Sequence, residues 1–198
     1  MTNQTAIPGY TYGAADLARA PISLDDFETM KKSVTFGEDD AEALRASAPI
    51  LEPHIEEILD VWYGFVGSQP HLVRHFCDPT TGAPLEGYLN AVRRRFGQWI
   101  RDTAAANYDQ AWLDYQFEIG RRHHSSGKNT TDGVEASPLI PLRDLILLTY
   151  PITATLKPFL GRTGAPPEEI ERMQQAWLKS VLLQVTLWSH PYVRGGEF

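Results

Sequence analysis

Six histidines, His54, His71, His75, His123, His124 and His190, have the widest chemical range in this chain, since each can ligate a metal, carry a proton or donate a hydrogen bond. None stands in a His-Glu-x-x-His pattern. The sequence also lacks a Gly-x-Ser-x-Gly elbow, a phosphate-cradling glycine loop and an EF-hand, which excludes motif-defined hydrolases and nucleotide enzymes. The adjacent pair His123-His124 closes a segment rich in aromatic residues. Neighbouring helix residues point about 100° apart, so at most one of the two imidazoles can serve a given site. His123 continues the line of Trp112, Tyr115 or Gln116 and Ile119, whereas His124 continues that of Leu113, Phe117 and Gly120. Periodicity favours His123 only slightly. Two solvated histidines at a helix C-terminus, where positive charge is favourable, remain the alternative.

Trp62-Tyr63 is the second feature. It places a phenolic hydroxyl on a helix otherwise lined with Leu and Ile, and a buried tyrosine hydroxyl needs a partner. Val92 and Phe96, one turn apart, add apolar surface that suits a core as well as a pocket. One imidazole on one helix and aromatic walls on two others together outline a haem slot. Such a slot needs one neutral imidazole to hold iron and an open opposite position for a gas.

The elements that must position these groups read as helices, so the expected fold is all-α. Ser23 and Thr35 each stand three residues before an acid, Asp26 and Glu38, and mark two helix starts. Leu51, Ile55, Ile58, Leu59, Trp62 and Val66 form one apolar stripe, which Pro49 and Pro53 divide between two helices. A short segment over 71–76 and a turn-rich stretch over 78–84 lead to a clear helix from Leu85 to Thr103. Further helices run over 108–124, over about 138–160 with bends at Pro151 and Pro158, and from Pro166 to about Ser189. The loop from Lys128 to Ser137 reads as polar. Each of the last two helices carries two apolar sides, more than one small core needs, and this points to a symmetric dimer through them.

Composition sets the outer limits. The chain has 198 residues, 42% hydrophobic and 22% charged, which is the profile of one folded domain over 1–198. Ile7, Tyr10 and Tyr12 suggest that an irregular N-terminal extension over 1–22 packs on the core. A net charge of −7 offers no field for nucleic acid, and no stretch reaches the roughly 20 apolar residues of a membrane span. The single cysteine, Cys77, forbids an internal disulfide, a thiolate zinc site and covalent haem attachment, and it fits a cytoplasmic location.

Several long segments in fixed order resemble protoglobins: Ile7-Pro8-Gly9-Tyr10-Thr11-Tyr12-Gly13, the run Asp60 to Ser68 around Trp62-Tyr63, the run Asn107 to Gln116 with Glu118-Ile119-Gly120 and His123-His124, Tyr150-Pro151-Ile152-Thr153-Ala154-Thr155, and Leu187-Trp188-Ser189. The resemblance implies a globin-like helical sandwich with an additional N-terminal helix, and a non-covalent b-type haem. It also implies reversible binding of O2, CO and NO, and a homodimer through the last two helices. It makes His123 the proximal iron ligand and leaves His124 off the iron. It places Trp62, Tyr63 and Phe96 on the ligand side, with Val92 where many globins carry a distal histidine. That leaves Tyr63 as the expected donor to bound O2. Leu145, Leu148 and Ile152 are expected to line the same side, Arg95 to meet a haem propionate, and Ile7 to Gly13 to wrap the cofactor. Enzymatic use of the haem on NO, peroxynitrite, peroxide or a carbene donor, and gas sensing through a separate partner, are the alternatives. A helical interaction module without haem is a further one. The distal set contains no acid–base pair of the peroxidase kind.

Overall fold

A computed structural model describes residues 6–198; the first five residues of the expected N-terminal extension lie outside the described residues. The described chain holds eight α-helices: α1 (Leu24–Ser33), α2 (Glu38–Leu51), α3 (Ile55–Gly67), α4 (Pro70–Val73), α5 (Glu86–Ala105), α6 (Gln110–His123), α7 (Leu142–Leu160) and α8 (Pro167–Ser189). One isolated antiparallel bridge, Cys77 to Pro84, is the only β-type pairing among the described residues. The all-α expectation holds. No helix among the described residues is long and apolar enough to cross a membrane.

Local chemistry accounts for most helix ends. Ser23 caps α1 as expected: its hydroxyl accepts the Asp26 N–H at 3.1 Å while the Asp26 carboxylate accepts the Ser23 N–H at 3.0 Å. The second start differs from expectation. Thr35 sits in the left-handed region at φ +51°, and Gly37 is the cap of α2, its N–H donating to Asp40 Oδ2 at 2.9 Å. The stripe from Leu51 to Val66 breaks at one proline, not two. Pro49 lies inside α2, whereas Pro53, which has no N–H to give back to that helix, falls in the 3-10 turn Glu52–His54. Asp109 caps α6 by accepting the Trp112 N–H at 2.8 Å. α7 starts at Leu142, later than expected, because Pro141 holds an extended ψ of 139°. The extended stretch before it is tied to the end of α6 by the Ile140 N–H, which donates to the His123 carbonyl at 2.9 Å.

α8 is the axis of the packing, lying against α2, α6 and α7, while α5 packs on α2 and α3. Trp112, Trp177, Leu44 and Leu160 are fully buried at these contacts. Three of the buried indole N–H groups find acceptors: Trp177 donates to Ser47 Oγ at 2.9 Å, Trp99 to Gln184 Oε1 at 2.6 Å and Trp188 to Gln116 Oε1 at 2.9 Å. At the α6–α8 crossing, Gly120 leaves no room for a side chain, since a Cβ there would lie 2.9 Å from Trp188 Cα. This close approach brings the end of α6 against Trp188.

The segment before α1 also lies against the helices. Tyr10 donates to both carboxylate oxygens of Asp102, at 3.0 and 2.9 Å, and Tyr12 stacks on Tyr115 with ring centroids 5.6 Å apart. Gly9 turns the chain at φ +73°, and a Cβ there would meet Thr131 Cγ2 at 2.5 Å and Arg95 Nη1 at 2.7 Å.

Candidate functional site

A cavity of about 220 Å3 opens between α3, α5, α6, α7 and α8. Every site residue expected from the sequence lines it. Trp62 and Tyr63 reach it from α3, Val92, Arg95 and Phe96 from α5, and His123 from α6. Leu145, Leu148 and Ile152 reach it from α7, and Val181, Val185 and Trp188 of α8 close the side shared with His123. His124 is not part of the lining; its Nδ1 lies 3.1 Å from Ser126 Oγ, and its ring packs edge-on against Tyr192. The structure therefore separates two histidines that helical spacing left nearly equal.

His123 is held from two directions. Its Nδ1 lies 2.8 Å from the Ile119 carbonyl, an oxygen that can only accept, so Nδ1 carries the proton and Nε2 keeps its lone pair. Its ring stacks on Trp188 at 5.4 Å between centroids and 14° between planes. Trp188 is anchored in turn by its bond to the buried Gln116. Burial pulls the imidazole pKa down to about 4, with the Ile119 bond opposing that shift and the charges of Lys128 and Arg122 adding to it. The group is neutral at physiological pH. A neutral imidazole whose other N–H is tied to a backbone carbonyl is the usual form of a metal-ligating histidine.

Across the cavity the wall is apolar and aromatic. Phe96 packs on Trp62 at 5.7 Å, on Tyr63 at 6.4 Å and on Trp99 at 5.2 Å. The Tyr63 hydroxyl makes no hydrogen bond to any described residue, so the carbonyl partner that a purely structural tyrosine would have is missing. Burial raises its pKa well above the usual tyrosine value, so Tyr63 presents a neutral O–H. Among the described residues no group of three or more His, Cys, Asp or Glu side chains could hold a bare metal ion. The donor set thus suits a planar cofactor that brings its own equatorial ligands and asks the protein for one axial imidazole. Haem meets that description, and the residues present fit it.

Arg95 lines the cavity, and three of its five N–H groups are engaged within the described residues. It pairs bidentately with Asp132, at 3.0 and 2.7 Å, and donates to the Pro8 carbonyl at 2.9 Å. Sequence reasoning missed further polar groups at the cavity, among them Thr149, whose Oγ1 has no partner among the described residues, and a cluster of three. His75 lines the cavity with Nε2 unpartnered and 3.6 Å from Asp144 Oδ2, and Tyr88 lines it with its hydroxyl bonded to Lys128. Lys128, expected in a polar loop, is buried. No local pattern marks these residues, because their surroundings come from chain segments far away in sequence.

The pH dependence of stability follows from His123. In the unfolded chain its pKa returns to the ordinary 6.5, whereas in the folded haem-free chain it is about 4. Between those values the unfolded state takes up a proton that the folded state refuses, so stability falls as pH drops. The loss from about pH 7.5 to about pH 4 is about 3 kcal/mol. Urea unfolding of the haem-free chain at both pH values, beside His123→Leu, checks this; equal acid sensitivity in the two proteins contradicts it. The lowered pKa of His75 acts in the same direction in both and cancels from the difference.

The protoglobin family model matches residues 23–198. No curated protein matches the chain at a significant level. Among solved structures, the globin domain of a Geobacter sulfurreducens globin-coupled sensor superposes with a TM-score of 0.64 at 16% sequence identity, covering 84% of this chain and 97% of that one. At that identity the likeness establishes a shared fold, and it agrees with the globin-like architecture expected from the sequence. With its helices, its buried imidazole and the matched span together, the chain belongs to the protoglobin family.

Proposed function

We propose that the chain is a single haem domain that reversibly binds diatomic gases, with His123 as the proximal ligand of a non-covalent b-type haem. The observation that carries this reading is the His123 imidazole: buried, neutral, fixed by Ile119 and Trp188, and facing an apolar cavity. Haem, when bound, supplies an iron with one position open to O2, CO or NO. The protein's part is orientation, exclusion of water and one hydrogen bond. Trp62, Val92, Phe96, Leu145, Leu148 and Ile152 keep the open side dry. Tyr63 offers the hydroxyl hydrogen that no described residue accepts.

Tyr63 discriminates between gases. A hydrogen bond to a charged group is worth about 1.5–3 kcal/mol, or roughly 10- to 100-fold in a dissociation constant. O2 withdraws electron density and becomes a good acceptor, whereas CO does so far less. Tyr63→Phe therefore speeds O2 release roughly 10- to 100-fold and CO release little, as stopped-flow displacement measures. Equal effects on the two gases contradict the assignment.

The assembly proposed is a homodimer in the cytoplasm. On α7, Ile146, Leu147 and Tyr150 are 55%, 69% and 77% exposed, and Leu182 of the adjoining α8 is 39% exposed. Contiguous apolar surface of this kind is what an isologous helical interface buries. Light scattering is expected to give twice the 22.2 kDa chain mass, and Leu147→Asp is expected to give one chain mass. A wild-type mass of one chain in dilute solution rules the dimer out.

A further inference from the structure

The cavity has a polar end that the gas-binding reading does not use. Lys128 is 5% exposed, and its Nζ donates only to neutral groups: the His75 carbonyl at 3.2 Å, the Tyr88 hydroxyl at 2.9 Å and Asn129 Oδ1 at 3.1 Å. It forms no ion pair among the described residues. The Asp132 carboxylate acts on it from a distance but is held bidentately by Arg95. A buried ammonium without a counter-ion is costly, and burial draws the Lys128 pKa down to about 8.

Tyr88 connects that charge to the cavity, which it lines at 8% exposure. An ammonium can only donate, so the Tyr88 oxygen is the acceptor in the Lys128 bond. The hydrogen of Tyr88 then has no acceptor among the described residues. Donation from a cation to the phenol oxygen also strengthens its O–H as a donor. The Lys128 Nζ further lies 4.9 Å from the Tyr88 ring centroid, so the charge sits against the ring as well. An O–H donor backed by a buried cation that has no ion-pair partner among the described residues, with Asp132 held by Arg95, is a receptor for an anionic oxygen.

The rest of the cavity is largely apolar, so an anion seated at Tyr88 belongs to a molecule whose body is apolar. We propose that Tyr88, charged from behind by Lys128, receives a carboxylate of the porphyrin at this end of the cavity. The proposal rests on the haem reading above. It adds to the expected Arg95, three of whose hydrogen bonds go to Asp132 and the Pro8 carbonyl, a hydroxyl whose hydrogen no described residue accepts.

The test is the rate at which the holoprotein releases porphyrin to an excess of haem-free scavenging globin, measured with haem and with its dimethyl ester. Tyr88→Phe is expected to speed haem release about 10-fold and to change release of the neutral ester less than about twofold. Lys128→Met acts in the same direction on haem. Equal acceleration of both porphyrins marks a merely structural role and overturns the proposal, as does no change in either. Excess acetate leaves wild-type release unaltered when the porphyrin's own carboxylate fills the site. An acetate-dependent wild-type rate, with Tyr88→Phe indifferent to the choice of porphyrin, assigns the site to a free carboxylate and overturns the proposal. A haem-replete chain without a Soret band fails the haem reading itself, and this proposal with it, before any release is measured.

Discussion

The hydrogen bond from His123 Nδ1 to the Ile119 carbonyl is the interaction on which the site depends. It fixes one tautomer and so leaves the His123 Nε2 lone pair free for a metal. A single hydrogen bond leaves the ring free to swing about its axis, and the stack on Trp188 removes that freedom. Trp188 is in turn fixed by the buried Gln116, one helix across. All of this requires α6 and α8 to approach at Gly120, where even a methyl group would press on the Trp188 backbone. The fold is thus arranged from the imidazole outward: two helices cross closely so that one ring is held and kept neutral.

Polarity is distributed unevenly around the same cavity. One wall carries two hydroxyls without an acceptor among the described residues, those of Tyr63 and Thr149, among Trp62, Phe96, Leu148 and Ile152, which suits a small ligand that accepts a hydrogen bond. Another part holds charges that would be ruinous if left bare in an apolar pocket. Arg95 is paired with Asp132, whereas Lys128, behind Tyr88, has hydrogen bonds to neutral groups and no ion-pair partner among the described residues. A cofactor with an apolar ring and anionic substituents is the kind of molecule that satisfies both ends at once.

How much of this was legible in the sequence differs from residue to residue. The helical period puts Trp62, Val92 and Phe96 on apolar helix faces because amphipathicity is a local property, and the structure turns those faces to the cavity. Ser23 was readable as a cap for the same reason. Thr35 was not, since the left-handed turn there is tied to Lys179, whose Nζ donates to the Thr35 carbonyl at 2.9 Å from far along the chain. Periodicity alone left His123 and His124 nearly equal; the resemblance to protoglobins separated them, and the structure puts only His123 on the cavity. Lys128 in a stretch of Asn, Thr, Asp and Gly reads as solvated loop. Its burial depends on His75 and Tyr88, 53 and 40 positions away, and no pattern within the loop encodes that.

The most direct measurement replaces the His123 side chain and returns it as a free ligand. Visible absorption spectra of haem-loaded His123→Gly, recorded as ferric, reduced and CO-bound protein with and without added imidazole, isolate the axial role from the fold. The account predicts that the variant loses the imidazole-ligated spectrum of the wild type and that free imidazole restores it. A His123→Gly protein whose spectra match the wild type in the absence of imidazole would show that another group holds the iron and would contradict the account.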